Sequence, residues 1–168
     1  KNAQLAQVPV LILGGATATV LKGRGSLQDI DHFSLAKSVT KLSKSIKRVQ
    51  KIQSTLETLI CTATSGVPGP VYLELPVDLL YPESIVREWY GLKADSKSMP
   101  WWMAGYLNWN VNQLFKSKNK PHINTSTPTK RNPPSMSLNK IFNMIQSAHK
   151  PLLLIGSQTM LAPDKGRD

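Results

Sequence analysis

Two rhythms of apolar and polar positions run along this chain. Val8–Leu13 is an unbroken apolar run with branched residues, followed by Gly14-Gly15. That pattern predicts a parallel strand covered on both faces and ending in a tight glycine turn. Thr40–Ile46 alternates loosely and predicts a second strand. From Arg48 to Thr64 the period changes: Val49, Ile52, Leu56, Leu59, Ile60 and Ala63 recur at helical spacing, with Lys51, Gln53, Ser54 and Glu57 on the other faces. Gly66 stops this helix and Pro68 prevents its resumption. Val71–Leu75 then reads as a third strand, closed by Pro76, which cannot donate a ladder hydrogen bond. Between the first two strands, the glycine-rich loop at residues 23–31 feeds a short helix for which Asp29 or Asp31 would be the N-cap. Strand, helix, strand, helix, strand is the order of an open α/β layer of parallel strands with helices on its faces.

Beyond Tyr81-Pro82 the character changes. Trp89, Trp101, Trp102 and Trp109 suit a short docking helix around Met103–Phe115, and the Pro-, Ser-, Thr-, Lys- and Asn-rich stretch after it reads as a solvated linker. A second helical stripe follows at Leu138, Ile141, Phe142, Ile145 and Ala148, with Ser137 as its cap, and Pro151–Ile155 reads as a buried strand ending in Gly156-Ser157. The organisation predicted is therefore a first α/β domain over 1–92, a basic linker over 93–137 and the opening of a second α/β domain over 138–168. Both sheets lack strands to pair with, an aggregation hazard in a free-standing protein. An internal segment of a longer chain is the simplest expectation.

The 168 residues are 40% hydrophobic, enough to build a core, and carry a formal charge of +11. A charge of that size invites a nucleic-acid or membrane-surface reading, through the Lys37, Lys41, Lys44, Lys47, Arg48 and Lys51 run and the basic linker. Its distribution argues otherwise. Residues 1–92 hold 10 basic and 7 acidic side chains, whereas residues 93–137 hold 7 basic and 1 acidic, so most of the excess sits in the linker. Cys61 is the only cysteine, which rules out an internal disulfide framework and any cysteine-based zinc cluster. His32, His122 and His149 are scattered, without the paired spacing of metal ligands. No apolar run reaches the roughly 20 residues of a membrane span.

Residues 66–82, GVPGPVYLELPVDLLYP, resemble the end of the pyrimidine-binding domain of thiamine-diphosphate-dependent enzymes of the acetolactate synthase group, where a G-x-P-G-P-V strand closes with a proline and an acidic residue. Upstream, AQVPVLILGG is similar to their P-V-hydrophobic-G turn, GSLQD at Gly25–Asp29 to their G-x-F-Q-E segment, and TKLSKSI to the strand that follows. Downstream, AHKPLLLIGSQTML is similar to the opening of their central domain. The match covers residues 1–83 and 138–163 in order. Within the group, the wording is most similar to the 2-hydroxyacyl-CoA lyases of animals. Leu27 stands where the usual residue is aromatic, and Asp29 where it is glutamate.

The resemblance implies the C-terminal half of a doubly wound pyrimidine-binding domain joined to the start of a central domain. It implies thiamine diphosphate and Mg²⁺ as cofactors, and cleavage of the C1–C2 bond of a 2-hydroxyacyl-CoA to formyl-CoA and a shortened aldehyde. Acetolactate synthase or decarboxylase-type carboligase chemistry is the alternative within the group. By the same resemblance Gln28 is a polar catalytic-pocket residue, and Gly156 and Ser157 would lie near FAD or the ADP part of CoA, or form a plain turn. A homodimer or homotetramer in the endoplasmic reticulum membrane is implied too, with no nucleic-acid partner. The family's cofactor-activating glutamate lies upstream and its G-D-G…N motif far downstream; no Gly-Asp-Gly occurs here. Alone, the segment is expected to be catalytically incomplete. An inactive homologue or a basic binding module are the competing classes.

Overall fold

The computed structural model describes residues 1–27, 29–92, 99–116 and 134–156. The chain divides into two compact units, Lys1–Lys130 and Arg131–Asp168.

The first unit is built on three parallel strands, β1 (Leu11–Ala16), β2 (Leu42–Ser45) and β3 (Val71–Pro76), in the order β1-β3-β2. The last strand in sequence thus inserts between the first two, with Leu11 and Leu42 both opposite Val71. The central position explains its composition. Val71, Leu73 and Glu74 are almost wholly buried, because a central strand of a covered sheet meets packing on both faces. Helix α3 (Ile52–Thr64), led in by a 3₁₀ turn at Val49–Lys51, lays Leu59 and Ala63 on the sheet beside Ile46, Val71, Leu73, Leu79 and Leu114. Its C-terminus is closed twice. Gly66 takes a positive φ of 59°, and the Lys41 ammonium donates to the carbonyls of Thr62, Ser65 and Val67 at 2.6–2.8 Å. A cation there meets the negative end of the helix dipole. Lys41, one of the basic run that invited a nucleic-acid or membrane-surface reading, is committed to this internal cap.

The first strand lies three residues later than its apolar run predicts. β1 takes in Gly14 and Gly15, which pair with Glu74 and Leu75 instead of forming a turn. Nor is it covered on both faces, since Leu13 is 58% exposed. The reason for glycine is a neighbour: a Cβ at Gly14 would lie 2.2 Å from the Tyr72 hydroxyl oxygen and 2.7 Å from two of its ring carbons. Tyr72 crosses the strand where a side chain would otherwise stand.

Pro82 is the N-cap of α4 (Glu83–Trp89), which packs on α5 (Trp101–Phe115). Arg87 binds Glu83 on its own helix and reaches Asn108 and Asn112 of α5 at 2.9 and 2.6 Å. Leu114 of α5 enters the core, so residues 101–115 of the predicted linker belong to the first unit. The preceding α1 (Asn2–Leu5) and α2 (His32–Lys37) are short; Asp31 caps α2 by accepting from the Ser34 amide at 3.0 Å.

In the second unit, α6 (Ser135–Ser147) starts behind Pro134, two residues before the predicted Ser137 cap. Its Leu138, Ile141, Phe142 and Ile145 stripe is exposed, and Pro151–Ile155 forms no strand among the described residues. A ladder needs a partner strand, and none of the described residues supplies one.

Candidate functional site

Parallel sheets gather their chemistry beyond the C-terminal ends of the strands, where loops diverge and a crevice opens. Here that edge is formed by Ala16, Ser45 and Pro76. Two buried carboxylates stand on it, four residues apart, Glu74 inside β3 and Asp78 in the 3₁₀ turn Val77–Leu79 that follows. Burial of a charge demands partners, and both find them in the loop after β1.

Glu74 Oε2 accepts from Lys22 Nζ at 3.1 Å and from Ser45 Oγ at 2.6 Å, joining that loop to β2. Asp78 Oδ2 accepts from the Thr19 amide at 2.9 Å, the Thr19 hydroxyl at 2.5 Å and the Tyr90 hydroxyl at 2.9 Å. Asp78 Oδ1 is buried and has no hydrogen-bond partner among the described residues. Burial pushes the Tyr90 phenol well above its ordinary 10.0, and the charge and hydrogen bond of Asp78 push it further. Tyr72 is raised as well, first by burial and then by the charge of Glu74.

The next turn of the loop is held by Asp29. Its Oδ2 accepts from the amides of Gly23, Arg24 and Gly25 at 2.7, 3.0 and 3.3 Å. Gly23 and Gly25 have φ of 77° and 70°, a region glycine enters without steric cost, which turns the three N–H groups toward one oxygen. Thr17 and Ser26 hydroxyls meet at 2.7 Å across the base of the loop. Ser26 and Asp29 are each tied to the rest of the loop by these bonds.

Two cavities flank this construction within the first unit. One, about 490 Å³, is lined by Thr19, Lys22, Ser45, Lys47, Arg48 and Gln113 among others; of the three cations on its wall, Lys22 is already held by Glu74. The other, about 600 Å³, is largely apolar, with Val20, Leu21, Val77, Met103 and Leu107 on its wall. The 3₁₀ turn Thr19–Leu21 contributes Thr19 to the first and Val20 and Leu21 to the second.

Gln28 and Ser157 lie outside the described residues. Gly156 is exposed in the second unit, with open space where a Cβ would stand. The residues that sequence reasoning missed are Thr19, Lys22, Glu74, Asp78 and Tyr90. A signal existed for two of them: carboxylates inside the apolar run VYLELPVDLL are unusual and buried acids are paired when they occur.

Among the described residues no three His, Cys, Asp or Glu side chains gather as metal ligands. Glu74 and Asp78 are already engaged by protein donors. The described residues therefore do not make up a holder for a metal-bound diphosphate. Among them, too, no helix is long and apolar enough to cross a membrane.

The fold is that of a thiamine-diphosphate-dependent decarboxylase domain. Benzoylformate decarboxylase from Polynucleobacter necessarius superposes with a TM-score of 0.60 at 16% identity, over 97% of this chain and 25% of that one. The thiamine diphosphate-dependent 4-hydroxybenzoylformate decarboxylase of Rhodococcus jostii RHA1 gives 0.60 at 19% identity, over 94% and 24%. No family model matches the chain. In sequence, the chain is a homologue of proteins named 2-hydroxyacyl-CoA lyase 2. It is 40% identical to that of Caenorhabditis elegans over 100% of this chain and 27% of the relative, and 36% identical to that of Homo sapiens over 97% and 26%. The large subunit of acetolactate synthase isozyme 3 from Escherichia coli is 35% identical over 48% of this chain and 14% of its own length. The chain thus spans roughly a quarter of the length of the relatives that match all of it.

Proposed function

We propose that the full-length protein carrying this chain is a thiamine-diphosphate-dependent lyase that cleaves the C1–C2 bond of a 2-hydroxyacyl-CoA, giving formyl-CoA and an aldehyde one carbon shorter. The observation that carries this reading is the extent of the matches. Proteins named 2-hydroxyacyl-CoA lyase 2 align with the whole chain, whereas the acetolactate synthase of Escherichia coli aligns with 48% of it. The cofactor, when bound, supplies the electron sink for carbon–carbon cleavage. The role of this segment is to shape the pocket wall: Glu74 and Asp78 fix the loop after β1, and Gln28, by the family resemblance, would be a polar group of that pocket.

With the reading come Mg²⁺ beside the cofactor, a homodimer or homotetramer, and residence in the endoplasmic reticulum membrane. Gly156 and Ser157 would border a nucleotide, either FAD or the ADP part of CoA. The test is direct. Purified full-length protein, supplied with thiamine diphosphate and Mg²⁺, is given a 2-hydroxyacyl-CoA and, separately, pyruvate. Formyl-CoA and the shortened aldehyde in equal amounts are the expected products; acetolactate from pyruvate with no cleavage of the thioester would overturn the proposal.

A further inference from the structure

Helix α5 carries two apolar stripes, and only one of them is packed. Val111 and Leu114 are buried, as the core-facing side of a surface helix should be. Trp102, Tyr106 and Trp109, spaced i, i+4 and i+7, form a second stripe that is 59%, 47% and 59% exposed. The rings of Tyr106 and Trp109 lie 6.4 Å apart, and Trp101 at the start of the helix is 86% exposed. Trp89 of α4, Met103 and Leu21 continue the surface along the wall of the apolar cavity. The segment Trp101–Phe115 contains no charged residue at all. Water alone would favour a polar outer face on such a helix; a contiguous aromatic patch marks an interaction surface.

The chemistry of the patch says what covers it. Indole N–H and phenol O–H groups sealed against protein find hydrogen-bond partners, and among the described residues none is present for Trp101, Trp102, Tyr106 or Trp109. Cations rim the stripe. Lys47 and Arg48 share a cavity wall with Trp109, Lys116 shares another, and Arg24 stands on the wall with Trp102 and Tyr106. None of these four is in an ion pair among the described residues, and the one acid on the same walls, Glu83, is bound to Arg87. Amphipathic rings bordered by Lys and Arg suit the headgroup layer of a bilayer, with the rings at the edge of the hydrocarbon and the cations on anionic phosphates. Single-stranded RNA also stacks on aromatic rings, but it has no use for the aliphatic Leu21, Met103 and Leu107 beside them. We infer that the α5 aromatic stripe and its rim of Arg24, Lys47, Arg48 and Lys116 dock on an anionic bilayer surface. The contact is peripheral, because no helix among the described residues is long and apolar enough to cross. It depends neither on the reaction proposed above nor on an anchor elsewhere in the protein.

The experiment uses the full-length protein with vesicles of phosphatidylcholine alone or mixed with phosphatidylserine, each with and without bromine on the acyl chains. Tryptophan emission of the wild type is compared with that of Trp102→Phe/Trp109→Phe, which keeps the aromatic bulk and removes two indoles. Brominated lipid should quench a component of the wild-type emission that the double variant lacks, and more strongly on the phosphatidylserine vesicles. Each cation near such a surface is worth about fivefold in docking, so Lys47→Gln/Arg48→Gln should lower the docking constant read from this quenching by about 25-fold. Equal quenching on neutral and anionic vesicles overturns the proposal, since the cations would then have no part in it. So does flotation with the vesicles without quenching of these two indoles, which leaves membrane residence standing through another segment. Shielding of the two indoles from acrylamide in the absence of lipid would show that the rest of the chain covers the stripe. Quenching by a single-stranded RNA but by no bilayer would make it a base-stacking platform. Either result overturns the inference and leaves the lyase reading untouched.

Discussion

Replacing Gly14 by alanine tests the packing of β1 on β3, provided Gly15→Ala is measured beside it. Both residues sit in the same strand, paired with Glu74 and Leu75. In either case the new methyl narrows the unfolded ensemble, which by itself stabilises the fold by about 0.4–1 kcal/mol. At Gly15 nothing lies within 4 Å of the added Cβ, so that gain should appear uncancelled. At Gly14 the methyl meets the Tyr72 ring at 2.7 Å, against the roughly 3.5–4.0 Å of relaxed carbon contacts, so the ring must withdraw by about 1 Å. Tyr72 is 5% exposed and has little room to do so. Overpacking of this kind costs about 1–3 kcal/mol. The entropy term is common to the two variants and cancels in their difference. Gly14→Ala should therefore be less stable than Gly15→Ala by about 1–3 kcal/mol, read as a shift in urea midpoint at constant slope by circular dichroism. A Gly14→Ala/Tyr72→Leu double mutant should recover part of the loss, with a coupling energy of at least about 0.5 kcal/mol. Equal stability of the two single variants would refute the reasoning, because the tyrosine could not then lie across Gly14.

Tyr90→Phe removes a hydrogen bond to a buried carboxylate and should destabilise the fold by about 1.5–3 kcal/mol at neutral pH, measured by urea unfolding. It should also change the alkaline limb. The folded phenol titrates above its ordinary 10.0, so the folded state holds the proton more tightly, and stability present below that pH is lost as pH rises past it. The variant should show a shallower decline there, with the Tyr72 contribution remaining. Asp29→Ala frees the Gly23, Arg24 and Gly25 amides; tryptic cleavage after Arg24 should accelerate at least several-fold, and on the proposed lyase reading kcat/KM of the full-length protein should fall with it. Lys41→Met uncaps α3 at a cost of about 1 kcal/mol and should speed amide exchange in the last turn of that helix, whereas Lys44→Met, within β2, should leave exchange there unchanged.

Much of the first unit could be read directly. Thr40–Ile46, Arg48–Thr64 and Val71–Leu75 enclose β2, the α3 region and most of β3 because each carries its own periodicity and its own stop, Gly66 and Pro76 above all. β1 was harder. Its apolar run begins at Val8, yet the ladder starts at Leu11 and continues through two glycines, since β3 and the Tyr72 ring set the register, not the run itself. The helix Trp101–Phe115 was legible as a docking helix, but its place in the core rests on Leu114 meeting α3 and the sheet, a contact no local pattern carries. Of the site, the sequence offered Gln28, Gly156 and Ser157 through a family motif. The buried framework of Thr19, Lys22, Glu74, Asp78 and Tyr90 remained hidden because its bonded pairs lie up to 59 residues apart.

What the sequence determined alone was the set of elements and the parallel α/β class, because periodicity and glycine or proline stops act over a few residues. Only the tertiary structure decided that β3 enters between β1 and β2, and so places Glu74 and Asp78 at the centre of the C-terminal edge. That insertion makes two ordinary acids into buried ones, and a buried carboxylate must find donors. The donors it finds, Thr19, Lys22, Ser45 and Tyr90, come from separate segments of chain brought together only when the sheet closes around its last strand.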